Sequence, residues 1–327
     1  MSSQTYQQFA ALMSRSAYAE AIALAESQLA RPDTDRVFWQ TRLSAALAAA
    51  RKYNAALEAA DAALRLSPRN SWALVARGEA HLGLARPREA YADFSEAAAD
   101  GRTAARARGG MLQALAALKN WADMLSLVNQ WDMPEAEKYP WRVKAFSGLD
   151  RHDDALDICR AWLKEKPDHP PALWELARLE TETEGVDAVR ERVGRLARIP
   201  GKPPVYGEIY ASLCRKSGVT DAAVRQYEKM TTTVVTPRLL RQKAFALAKS
   251  GQEKEAIPLM EELLRLDPRD MYIHSAFVAA CKRVREIERA WRLYHELSAK
   301  YPDEKGLLGR IKGIRKLLEN PPPHQEP

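Results

Sequence analysis

The sequence predicts an all-α chain, a solenoid of antiparallel helix pairs. Three observations carry this. Small or apolar residues recur at Ala21, Ala56, Ala90, Met124, Ala155, Val189, Ala223, Ala256 and Ala290, mostly 34 residues apart, with intervals of 35, 31 and 33 as the exceptions. Apolar residues around them return at helical spacing. Pro68, Pro167, Pro268 and Pro302 each stand twelve residues after one of these positions and punctuate the unit. A period of about 34 residues is that of a helix–turn–helix repeat.

The second helix of each pair is the clearer one. Four residues beyond the small position stand Phe94, Tyr227, Met260 and Tyr294, and three further on come Ala97, Met230, Leu263 and Leu297. Spacings of four and three keep these side chains on one helical face. The small residue lets two helices approach closely. The closing proline cannot continue a helix. The first helix carries its own apolar pairs, Leu43 with Leu47, Leu240 with Ala244 and Phe277 with Cys281. Gly218 and Gly251 fall between paired helices, where a positive φ is needed.

Gly78, Ala90, Phe94 and Ala97 in one unit, and Tyr53, Ala56, Ala63 and Pro68 in another, carry a resemblance to tetratricopeptide repeat proteins. The resemblance covers residues 1–302 as about nine units, with Met124, Leu112 and Glu180 departing from the family's usual residue types. It implies a right-handed superhelix that binds peptides or domains in a concave groove lined by the first helices. Carried along the chain, the groove register picks out Trp72, Lys144, Trp174, Arg178, Arg215, Arg238, Arg241, Phe245, Tyr272 and Lys282. Aromatic and Arg side chains dominate binding energy once desolvated, and Arg takes a carboxylate by two contacts. The C-terminal half is therefore expected to grip an acidic or carboxylate-ended segment, against the alternative that these are ordinary solvated charges. The Lys and Asn clamp with which some family members hold chaperone tails is not expected, since Thr41, Ala45, Val75 and Glu79 stand at its positions.

The 31-residue interval contains Trp131, Pro134, Tyr139, Pro140 and Trp141. The prolines are expected to stop helices and disturb the register near 131–141. The three aromatics either plug the shortened unit or form a partner-binding patch. In 303–320, Leu307, Ile311, Ile314 and Leu318 make one apolar stripe, expected to cap the last exposed core, with a basic membrane or partner helix as the alternative. Residues 321–327 are proline-rich and expected to be disordered.

Of the 327 residues 46% are hydrophobic and 28% charged, and the net charge is +7, a mild basic bias that favours acidic partners without the dense clustering of a nucleic-acid binder. Cys159, Cys214 and Cys281 are far apart and make no CxxC pair, so neither a zinc site nor a disulfide framework is expected. The polar stretch from Met1 to Phe9 predicts no secretory signal, and no apolar run reaches the roughly 20 residues of a membrane span. A reducing cytoplasm is the simplest compartment. The Ala- and Arg-rich composition points to a bacterial chain. No phosphate loop, dinucleotide fingerprint, zinc-protease motif or nucleophile elbow is present. His81 is read as a structural core residue, and Glu180, Glu182 and Glu184 as a solvated face. No cofactor and no catalysis are expected. The function this points to is a protein- or peptide-binding scaffold or adaptor. An RNA-binding solenoid, with groove aromatics stacking bases, is the alternative.

Overall fold

The structure is a computed structural model and describes residues 3–232, 235–302 and 304–319. The tail 321–327, expected to be disordered, lies outside the described residues. Among those residues there are nineteen α-helices and no strand. The chain divides into two compact units, Met1–Trp162 and Leu163–Pro327. The first holds α1 (Ser3–Ser14), α2 (Tyr18–Leu29), α3 (Arg36–Ala49), α4 (Tyr53–Leu66), α5 (Ser71–Gly83), α6 (Pro87–Ala97), α7 (Ala104–Ala117), α8 (Trp121–Gln130), α9 (Glu135–Gly148) and most of α10 (His152–Glu165). The second holds α11 (Pro170–Glu184), α12 (Val186–Ala197), α13 (Pro204–Lys216), α14 (Thr220–Thr231), α15 (Pro237–Lys249), α16 (Glu253–Leu266), α17 (Met271–Arg283), α18 (Ile287–Lys300) and α19 (Lys305–Glu319).

All nine small positions read from the sequence fall on even-numbered helices, and every one of them is 0% exposed. They are the points where the second helix of a pair meets its neighbours. The partner of a small residue is often an aromatic ring. Phe94 of α6 is wedged between two glycines: a Cβ on Gly78 of α5 would stand 2.8 Å from its ring, and one on Gly110 of α7 would stand 2.6 Å away. Tyr53 lies against Gly83, and Trp121 against Gly148, in the same way. A missing Cβ thus lets a ring fill the space between helices at crystal-like density.

The turn inside each pair obeys one backbone rule. Ser16, Arg51, Ala85, Lys119, Asp150, Gly185, Gly218, Gly251 and Arg285 each have positive φ and each sits in the turn between an odd-numbered helix and the next. In most of these turns the following N–H donates back to the carbonyl five residues earlier, as Arg86 does to His81 and Gln252 to Leu247, both at 2.9 Å. This is a Schellman closure, which satisfies carbonyls the helix end would otherwise leave bare. Six of the nine use a residue with a Cβ, which costs about 1 kcal/mol in the left-handed region. Ala85→Gly is therefore expected to raise the melting temperature of the chain, by a gain of about 0.5 kcal/mol after the extra entropy of unfolded glycine is subtracted. Calorimetry showing a lower melting temperature would contradict this.

In unit 1 a buried polar network links three helices. The Arg77 guanidinium of α5 donates to both carboxylate oxygens of Asp93 in α6, at 2.6 and 3.0 Å, and to Asp61 of α4 at 3.3 Å. His81 Nε2 stands 3.8 Å from the same Asp93. The Asp93 hydrogen bonds raise the Arg77 guanidinium above its ordinary value.

The segment around 131–141 differs from expectation at Pro140. Pro134 is the N-cap of α9, but Pro140 lies inside that helix and does not stop it. Its missing N–H removes one ladder hydrogen bond, the one to the Ala136 carbonyl, and the helix continues past it. Trp131 and Trp141 are half-buried and pack on the α7–α9 core beside Leu112, Met124 and Val128. Tyr139 stacks on Trp162, with ring centroids 5.9 Å apart.

In unit 2 the core runs through α13 to α19 and centres on Tyr227, Phe277 and Tyr294. Burial pushes the Tyr227 and Tyr294 hydroxyls up to about 12. His274 is buried beside Tyr294. Its Nε2 lies 2.8 Å from the Pro268 carbonyl, which only accepts, so Nε2 carries the proton and Nδ1 accepts from the Tyr294 hydroxyl at 3.1 Å. Burial lowers the imidazole below its ordinary value and keeps it neutral. α19 lays Leu307, Ile311, Ile314 and Leu318 on this core.

Candidate binding faces on the first helices

In unit 2 the odd-numbered helices α11, α13 and α15 converge on a cleft of about 200 Å³ bordered by Trp174, Glu208, Arg215 and Arg238. Three of these, Trp174, Arg215 and Arg238, are sequence-predicted site residues brought together here. Their charges are not equivalent. Arg238 pairs with Glu208 at 3.2 Å and holds its guanidinium 5.9 Å from the centre of the Trp174 ring. Arg215 has no carboxylate at ion-pairing distance among the described residues.

Arg215 also borders a second cleft, of about 460 Å³, floored by Phe245, Ala248 and Ala276 and rimmed by Lys216, Lys249 and Arg283. Arg215, Lys249 and Arg283 lie 34 residues apart at the ends of α13, α15 and α17. Lys249 Nζ donates to the Arg215 carbonyl at 2.6 Å, and Arg283 donates to the Ala248 carbonyl at 3.1 Å and to Glu253. Cations at helix C-termini complement the negative end of the dipole and satisfy carbonyls left over there. The ladder is thus partly structural, and it leaves a basic rim above an apolar floor.

The remaining predicted residues are placed as follows. Arg178 is engaged on its own helix by Glu175 and Glu182, both at 2.9 Å. Arg241 pairs with Asp270, the N-cap of α17. Tyr272 is 80% exposed, and Lys282 is exposed near the end of the same helix. Lys144 is exposed on α9 in unit 1. Trp72 lines a cleft of unit 1. Of the four arginines in the expected row three are therefore paired, and among the described residues Arg215 is the exception.

Glu180 and Glu184 are four apart, and both reach Arg192 of α12, at 2.5 and 2.7 Å. They tie α11 to α12 where a solvated face was expected. All three cysteines are buried and free. Burial raises the Cys214 thiol and pushes the Cys281 thiol up to about 12, which suppresses the nucleophilic thiolate. Among the described residues no group of three or more His, Cys, Asp or Glu is placed to hold a metal ion. No helix of the described residues is long and apolar enough to cross a membrane. Arg42 of α3, a residue the sequence register passed over, lies against the rings of Tyr6, Phe38 and Trp72.

Among the described residues nine helix pairs, each joined by a left-handed turn and each with a fully buried position on its second helix, define an all-α helical repeat protein. Its fold is of the tetratricopeptide type. No protein-family model and no curated protein matches the chain. Among solved structures it is similar to yeast Tom70, at 14% identity over 97% of this chain and 96% of that one, with a TM-score of 0.43. It is also similar to the C-terminal part of a tetratricopeptide repeat-containing protein from Cytophaga hutchinsonii, at 14% identity over 83% and 98% of the two chains, with a TM-score of 0.46. A third is a tetratricopeptide repeat protein from Parabacteroides merdae, at 15% identity over 86% and 99%, with a TM-score of 0.38.

Proposed function

We propose that this chain is a non-catalytic, cytoplasmic protein-interaction scaffold that takes acidic peptide segments on the first-helix face of unit 2. The observation that carries the reading is Arg215, which borders both unit 2 clefts and whose guanidinium has no carboxylate at ion-pairing distance among the described residues. A ligand carboxylate supplies the missing partner, and a charge-assisted hydrogen bond of this kind contributes about 1.5–3 kcal/mol. Trp174 and Phe245 offer apolar surface on either side for the neighbouring ligand side chains.

The placement also selects the variant to test. Arg238 and Arg241 hold Glu208 and Asp270, so charge reversal there injures the fold together with any binding. Arg215→Glu does not break an ion pair. Panning a random peptide library on the immobilised chain is expected to enrich sequences with excess Asp and Glu, and Arg215→Glu is expected to lower their affinity at least tenfold. Selection of neutral or basic peptides, or undiminished affinity in the variant, would show that unit 2 does not read acidic segments.

A further inference from the structure

Unit 1 contains a second cationic position that none of the preceding argument uses. Arg42 of α3 is half-buried, and the plane of aromatic side chains surrounds it: its guanidinium carbon lies 4.6 Å from the Phe38 ring centre, 5.3 Å from that of Tyr6 and 5.8 Å from that of Trp72. Phe38 and Trp72 are 34 residues apart on α3 and α5, so the repeat itself builds two walls of the cage. Burial holds the Arg42 guanidinium below its ordinary value. Its Nε is buried and has no hydrogen-bond partner. No carboxylate of the described residues lies at ion-pairing distance. Arg106 adds positive potential at Arg42. Arg106 itself is paired with Glu79, at 2.7 Å.

A half-buried cation with no anion at ion-pairing distance has lost part of its hydration without a charge partner to replace it. The rings recover part of that cost by cation–π attraction and the Tyr6 hydroxyl accepts a hydrogen bond, but neither supplies an anion and Nε keeps no partner. A cleft of about 360 Å³ opens beside it, with Phe38, Trp72 and Val37 as apolar walls and Asn70 and Asp35 as polar ones. Asn70 Oδ1 accepts from Ala73 N at 2.9 Å, which orients that side chain and leaves its amide N–H groups as donors. Asp35 accepts from Phe38 N at 3.0 Å and caps α3.

We propose that Arg42 and this cleft form a binding site in unit 1 for a single carboxylate presented by a peptide with an apolar residue beside it. The charge balance selects that class. One guanidinium without an anion complements one negative charge, and the Asp35 carboxylate in the wall repels a phosphate dianion more strongly than a single carboxylate. The aromatic walls accommodate the apolar neighbour. The carboxylate is either an acidic side chain or a chain terminus. The site is independent of the unit 2 clefts and stands whether or not Arg215 binds anything.

Three fluorescein-labelled octapeptides of one apolar sequence test it by fluorescence polarisation. The first has a free C-terminus, the second an amidated terminus and one Glu, and the third an amidated terminus with Gln in place of Glu. The intact chain is expected to bind the first or the second at least tenfold more tightly than the third, and which of the two identifies the source. In a chain that already carries Arg215→Met to silence unit 2, Arg42→Met is expected to erase that preference, and Arg42→Lys to keep part of it. Arg215→Met should leave it intact, which separates this site from that in unit 2. On the unaltered chain the preferred peptide is expected to slow modification of Arg42 by phenylglyoxal, read by mass spectrometry. Equal binding of all three peptides, a preference that survives Arg42→Met in the Arg215→Met background, or unprotected Arg42 would overturn the proposal.

Discussion

Phe94→Ala is expected to destabilise unit 1 by about 3–5 kcal/mol, the range for emptying a large aromatic site in a core. The ring is 1% exposed. It touches Gly78 of its own pair and Gly110 of the next, so its removal opens the interface within a pair and the interface between pairs at once. Neither glycine has a side chain to collapse into the void, which places the cost toward the upper end. In a repeat array, stability is close to a sum of unit and interface terms, so weakening two adjoining interfaces is expected to broaden or split the unfolding transition. Urea denaturation followed by circular dichroism measures both effects. The converse change, Gly110→Val, fills space the ring already holds and is expected to be destabilising as well. A Phe94→Ala loss below about 1 kcal/mol would mean the ring does not hold these helices together.

The repeat was legible in the sequence because its marker is steric. A position that permits only a small or well-fitting side chain leaves a trace in residue type, and Ala21, Ala56, Ala90 and the six that follow are all fully buried. The left-handed turns were read from the sequence only at Gly218 and Gly251, and the third turn glycine, Gly185, was passed over. At Ser16, Arg51 or Lys119 the same conformation is adopted by a residue whose identity does not announce it. Pro140 misled because a proline's local cost of one ladder hydrogen bond says nothing of the packing around it, and Tyr139 and Trp141 on either side are held by Trp162 and the α7–α9 core. The candidate site was readable by half. Helical spacing says which side chains share a face, and it placed Trp174, Arg215 and Arg238 around one cleft. It does not say which charges are already used. That depends on partners about one repeat away, Glu208 for Arg238 and Asp270 for Arg241. Arg42 was missed because its environment is made by three rings from three helices, among them Tyr6 from near the start of the chain.

Arg77→Met is expected to cost about 3 kcal/mol, because it strands the Asp93 carboxylate in the interior. That side chain is 7% exposed and receives both of its short hydrogen bonds from Arg77. His81 alone stands near it afterwards, at 3.8 Å, too far for a full hydrogen bond. The cost is the desolvation of an unpaired charge, so it must depend on the charge being there. The double variant Arg77→Met with Asp93→Leu removes both partners and is expected to recover most of the loss, since apolar replacements of a buried pair are often neutral. Asp61, at 39% exposure, keeps its water in either case and contributes little. Denaturant unfolding of the two single variants and the double closes the cycle and isolates the coupling. A double variant no more stable than Arg77→Met would assign the network's value to the shape of Arg77 packed across α4, α5 and α6 and not to its charge.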